Sequence, residues 1–64
     1  MKFAISKNDT FIYGVSGAIA ESRLKAKLKI LLPHMWEVAL YKLKKDGTIF
    51  VSNEYNDYKF IWED

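Results

Sequence analysis

The chain contains no cysteine. No disulfide can brace the fold and no thiolate can hold a metal, a usage that fits a reducing compartment. Histidine occurs once, as His34 beside Pro33. A nucleophile activated by a positioned histidine therefore has one candidate base, and no partner stands at a suitable spacing. His34 reads as a loop residue. The three glycines form no phosphate-binding fingerprint. Gly14-Val-Ser-Gly17 lies inside a strand pattern and reads as a bulge or bend. Glu54-Tyr-Asn-Asp57 lacks the alternating carboxylates of a calcium loop, so it reads as a solvated acidic turn. No apolar run approaches the roughly 18 residues that a bilayer span requires. Met1-Lys-Phe-Ala-Ile5 resembles the start of a signal peptide, but Ser6-Lys-Asn-Asp9 ends the apolar stretch. Together these absences predict a cytoplasmic protein with no catalytic residues, no metal, no cofactor and no membrane segment.

What is present is apolar and aromatic. Half of the 64 residues are hydrophobic and 16% are aromatic, too many for a disordered tail. The expectation is one compact domain, residues 1–64, with a small core, since a chain this short buries only about 60% of its unfolded surface.

Charge is unevenly placed. Residues 1–45 carry nine Lys/Arg against Asp9, Glu21 and Glu37, giving +6; residues 46–64 carry Lys59 against five carboxylates, giving −4; the sum is the net +2. Such asymmetry means either a partner-facing dipole or an ordinary solvated surface.

Read in order, Lys2–Ser6 alternates with Phe3 and Ile5 on one side. Phe11, Tyr13, Val15 and Ile19 then recur at odd positions, a strand period. A two-residue Asn8-Asp9 turn would separate Phe3 and Ile5 from Phe11 and Tyr13. An odd loop, Lys7-Asn8-Asp9, would put all four on one face, and a one-residue slip flips every side chain. Leu24, Leu28 and Leu31 mark a helix over about residues 22–32, capped by Ser22 or, alternatively, Ser16. Pro33 ends it. Met35–Lys44 reads as a long strand, with Trp36, Val38 and Leu40 on one face and Met35, Ala39, Tyr41 and Leu43 on the other. Asp46-Gly47 is a hairpin signal. Thr48–Asn53 and a final strand bearing Tyr58, Phe60 and Trp62 follow. The expected fold is α+β in the order β-β-α-β-β-β, a mainly antiparallel sheet with one helix across one face.

A single short helix would leave the other sheet face open, showing Tyr41, Leu43, Phe50 and Ile61. Exposed apolar patches on small proteins mark interfaces. The leading functional expectation is a non-enzymatic protein-binding module. It would regulate or inhibit a larger partner through that face or an edge strand, with a virus- or mobile-element-encoded accessory protein as one context and homodimerisation as a close relative. The alternative is a small nucleic-acid-binding protein. There Arg23, Lys25, Lys27 and Lys29 on the helix, with Lys42, Lys44 and Lys45 on the next strand, would track phosphates while exposed aromatics stack bases. Against it, lysine stems flanking a leucine stripe are ordinary cover for a core.

Overall fold

A computed structural model describes residues 1–64. The fold is α+β: strand β1 (Lys2–Lys7), strand β2 (Thr10–Ser16), helix α1 (Ala20–Leu31), helix α2 (Trp36–Asp46), strand β3 (Thr48–Ser52) and strand β4 (Asp57–Glu63). The four strands form one antiparallel sheet in the order β2-β1-β4-β3. The two hairpins meet through their β1 and β4 strands, and both helices pack on the same face.

The first hairpin turns on two residues, not three. Lys7 pairs with Thr10, and Asn8 and Asp9 both take positive φ, 49° and 68°. That is the conformation of a type I′ turn, which Asn and Asp tolerate. The odd residue demanded by the alternation lies inside the strand. Ile5 pairs with Tyr13 and Ser6 with Phe11, leaving Ile12 as a bulge. The bulge keeps Tyr13 and Val15 on the face of Ile5 and Phe3, but sends Phe11 to the opposite face.

Helix α1 begins at Ala20, between the two serines considered as caps, so that Ser16 ends β2 and Ser22 lies inside the helix. Ile19 occupies the cap position without a side-chain hydrogen bond, and the Ser22 hydroxyl donates back to the Ile19 carbonyl at 3.1 Å. The entry is fixed instead by backbone: Gly17, at φ +97°, donates to the Met1 carbonyl at 2.8 Å. Ala20, Leu24 and Leu28 form the fully buried stripe of α1.

The largest departure from the sequence reading is residues 36–46, which are helix and not strand. Trp36, Ala39, Leu40 and Leu43 recur at i, i+3, i+4 and i+7, and all four pack on or into the core. Ala, Leu, Lys and Glu dominate the segment and favour helix. Glu37 sits in the first turn, and Lys44 and Lys45 in the last, complementing the helix dipole. Gly47 ends the helix in the left-handed region, φ +83°, and donates to the Leu43 carbonyl at 2.7 Å. The Asp46-Gly47 pair is therefore a helix stop and not a hairpin turn.

Nine side chains form the core: Phe3, Ile5, Ile49, Phe60 and Trp62 from the sheet, Ala20, Leu24 and Leu28 from α1, and Leu43 from α2. Full burial of each large member contributes about 1.5–3 kcal/mol. No buried side-chain nitrogen or oxygen lacks a partner. No helix is long and apolar enough to cross a membrane.

Candidate functional site: the open face of the sheet

Pleating divides each strand between the two faces. The covered face holds Phe3, Ile5, Tyr13, Val15, Ile49, Val51, Tyr58, Phe60 and Trp62. Register places the other residues in rows across the open face. One row runs Gly14–Ala4–Ile61–Thr48, the next Phe11–Ser6–Lys59–Phe50, and Ser16–Lys2–Glu63 forms a third. No element covers these rows.

Two phenylalanines stand at opposite margins of this face. Phe50 on β3 is 75% exposed and Phe11 on β2 is 65% exposed. Ile61, 38% exposed, lies between them as the diagonal neighbour of Phe50 across the β3–β4 pair. The Phe11 ring leans over Gly14. A Cβ added at Gly14 would meet two Phe11 ring atoms at 3.2 Å and the Phe3 carbonyl oxygen at 3.4 Å. Glycine is thus needed there to admit the ring, which in turn covers the bare backbone. Beside the ring lies a shallow hollow of about 390 Å³, floored by Ala4, Gly14 and Ile61 and rimmed by Lys2, Ser16 and Glu63. It is an open depression and not an enclosed ligand pocket.

Two pairs join polar groups of this face. Lys2 Nζ lies 3.0 Å from Glu63 Oε2, and Ser52 Oγ donates to Asp57 Oδ1 at 2.8 Å. Lys59 Nζ sits 5.9 Å from the Phe50 ring centroid, within reach of a cation–π attraction. Lys2 and Lys59 face Glu63 and Asp57, so the face carries no net charge.

Of the four side chains expected on an open sheet face, two are there: Phe50 and Ile61. The other two belong to α2 and go elsewhere. Leu43 is wholly buried in the core, because it lies on the inward stripe of a helix. Tyr41 is 68% exposed, but on the outer side of that helix. Phe11 was absent from the expected set. A phenylalanine three residues before a glycine in an alternating strand is the pattern that points to it, once the Ile12 bulge is recognised.

The expected basic surface is also redistributed. Lys42, Lys44 and Lys45 are on α2 and not on a strand. Lys25 and Lys44 both approach Glu21, joining the two helices. Lys27 Nζ lies 4.3 Å from the Tyr13 ring centroid, Lys29 Nζ 4.7 Å from that of Trp36, and Lys44 Nζ 5.6 Å from that of Trp62. These ammonium groups cap the aromatic margins of the core. Arg23, Lys42 and Lys45 make no ion pair, and they are divided between two helices. The structure thus brings together no continuous row of unengaged cations.

His34 lies in the α1–α2 connection, and no cluster of three potential metal-ligating side chains occurs. No protein-family model, curated protein or solved structure matches this chain.

Proposed function

We propose that this chain is a small non-enzymatic protein-binding module, a regulator or inhibitor of a larger partner, that docks through the open face of its sheet. The observation that carries this reading is the placement of Phe11, Phe50 and Ile61. They are exposed together on a face with no covering element, whereas both helices lie on the other side. Exposed aromatic side chains are the usual energetic anchors of a protein interface; here Phe11 and Phe50 stand at the two margins of the face, with Ile61 between them. On the open face, charge favours a protein surface over a nucleic acid. Binding to phosphates needs unneutralised cations, and the lysines of this face are balanced by carboxylates. On the helix side, Lys25 and Lys44 share Glu21.

The test is affinity capture from the native cell, run in parallel with wild type, with Phe11→Ser/Phe50→Ser and with Tyr41→Ser. The expected result is a protein retained by wild type and by Tyr41→Ser, and lost by the double variant. A partner held equally by all three overturns the face assignment. Salt-sensitive binding to single-stranded oligonucleotides that is lost on changing Arg23, Lys42 and Lys45 would overturn the protein-binding reading itself.

A further inference from the structure

Edge strands of native sheets are normally blunted with charged residues, proline or bulges, because their free backbone groups invite pairing. This sheet inverts the first device. All its charged residues lie on the two central strands: Lys2 and Lys7 on β1, and Asp57, Lys59 and Glu63 on β4. Neither edge strand, Thr10–Ser16 or Thr48–Ser52, carries a charge. The two edges are not equivalent. The Ile12 bulge breaks β2, whereas β3 pairs with β4 in unbroken register.

The backbone direction of β3 follows from its flanks. Trp62 donates to the Gly47 carbonyl and Asn53 to the Asn56 carbonyl, each at 2.9 Å. Hydrogen-bonded pairs alternate in an antiparallel ladder, so Ile49 and Val51 bond inward to Phe60 and Tyr58. Thr48, Phe50 and Ser52 therefore present their N–H and C=O groups off the free edge.

The side chains of this edge form a palindrome in chemical type: hydroxyl, β-branched aliphatic, phenylalanine, β-branched aliphatic, hydroxyl. We propose that β3 pairs antiparallel with β3 of a second copy, about a two-fold axis at Phe50. In that register Phe50 meets its own counterpart, Thr48 meets Ser52 of the second copy, and Ile49 meets Val51. The residues with outward backbone groups are the ones that become hydrogen-bonded pairs. Aromatic–aromatic, hydroxyl–hydroxyl and β-branched pairs are each favourable across strands, and an uncharged edge meets itself without repulsion. A two-fold interface requires such self-complementarity; an unrelated partner strand does not. The dimer joins two sheets into one and leaves both open faces on the same side. It does not rest on the docking role proposed for that face.

Sedimentation velocity across a micromolar dilution series, with far-UV circular dichroism to confirm folding, tests the pairing. Wild type is expected to move toward twice the 7.5 kDa chain mass as concentration rises. Thr48→Lys/Ser52→Lys puts lysine opposite lysine at both ends of the pairing and is expected to weaken the dimer at least tenfold. Thr48→Glu/Ser52→Lys puts glutamate opposite lysine and is expected to restore it. Amide hydrogen exchange on wild type reads the same contact without a substitution. Thr48, Phe50 and Ser52 are expected to be protected at high concentration and to lose protection on dilution. A monomer at every concentration, unprotected amides at those three positions, or a dimer untouched by the lysine pair would overturn the proposal. Docking on the open face through side chains protects none of these amides, so the two readings fail separately.

Discussion

The two faces of the sheet are built from the same strands and differ in almost every other respect. The covered face gathers Phe3, Ile5, Ile49, Phe60 and Trp62 against three buried residues of α1 and one of α2. The open face carries two exposed phenylalanines, an isoleucine, small residues and paired charges. Both faces carry large apolar side chains, so hydrophobicity alone does not distinguish core from interface. The difference lies in what stands opposite. Two helices, together spanning residues 20–46, cover one face of a four-stranded sheet and leave nothing for the other. No further element remains to cover it, although large apolar side chains such as Ile30, Val38 and Tyr41 stay exposed on the helices.

Substitutions on the two faces should have opposite signatures. The largest stability effect is expected at Phe60, wholly buried on the covered face. Phe60→Ala should cost about 3–5 kcal/mol, read as a fall in the midpoint of urea unfolding. A loss below 1 kcal/mol there would mean that the assignment of faces is reversed.

Leu43→Ala comes next, at about 2–5 kcal/mol, because it removes the one fully buried side chain of α2. Its helical neighbour Tyr41 gives the contrast. Tyr41→Ser should change stability by no more than about 0.5 kcal/mol. Equal effects at the two positions would be the strand pattern reasserting itself.

Gly47→Ala tests how α2 hands over to the covered face through β3. Its left-handed φ of +83° costs an alanine about 1–2 kcal/mol. The expected result is a lower melting temperature with unchanged helix content, measured by circular dichroism.

The smallest stability effect belongs to the open face. Phe50→Ser should move stability by about 0.5 kcal/mol or less, while abolishing whatever contact that face or its edge makes. A large loss of stability at Phe50 in a monomer would show it to be core, and the contrast between the faces would collapse.

Much of the fold was legible in the residues. Period-two alternation marked β1, β2, β3 and β4, the leucine stripe marked α1, and the inward set Tyr58, Phe60 and Trp62 was read on one face. The expected odd loop at the first hairpin is absent, and only Tyr13 of the pair Phe11 and Tyr13 joins Phe3 and Ile5. A bulge inside a strand and an extra residue in its loop both add one residue, but the bulge leaves Phe11, on its loop side, on the opposite face. Here the two-residue Asn8-Asp9 turn has its own preferred geometry and leaves Ile12 to absorb the mismatch. Residues 36–46 misled because Trp36, Val38 and Leu40, beside Ala39, Tyr41 and Leu43, satisfy a strand period while Trp36, Ala39, Leu40 and Leu43 satisfy a helical one. Glu37, Lys42 and Lys44 interrupt the alternation, and the Gly47 stop supports the helix. Reading the segment as a strand carried Tyr41 and Leu43 onto the sheet, while placing the odd residue in the first loop put Phe11 on the covered face.

By itself the sequence determined the class of the molecule. Its alternating apolar residues had to form strands, its leucine stripe had to dock on them, and without cysteine its stability had to come from a small apolar core. Tertiary structure decided which apolar side chains that core would take. A face is buried only where another element arrives to cover it, and both connections, Ser16 to Ala20 and Asp46 to Thr48, bring their helices to the same side. Phe60 and Phe50 lie on neighbouring strands in similar local patterns; the first became core and the second surface because the helices lie over one and not the other.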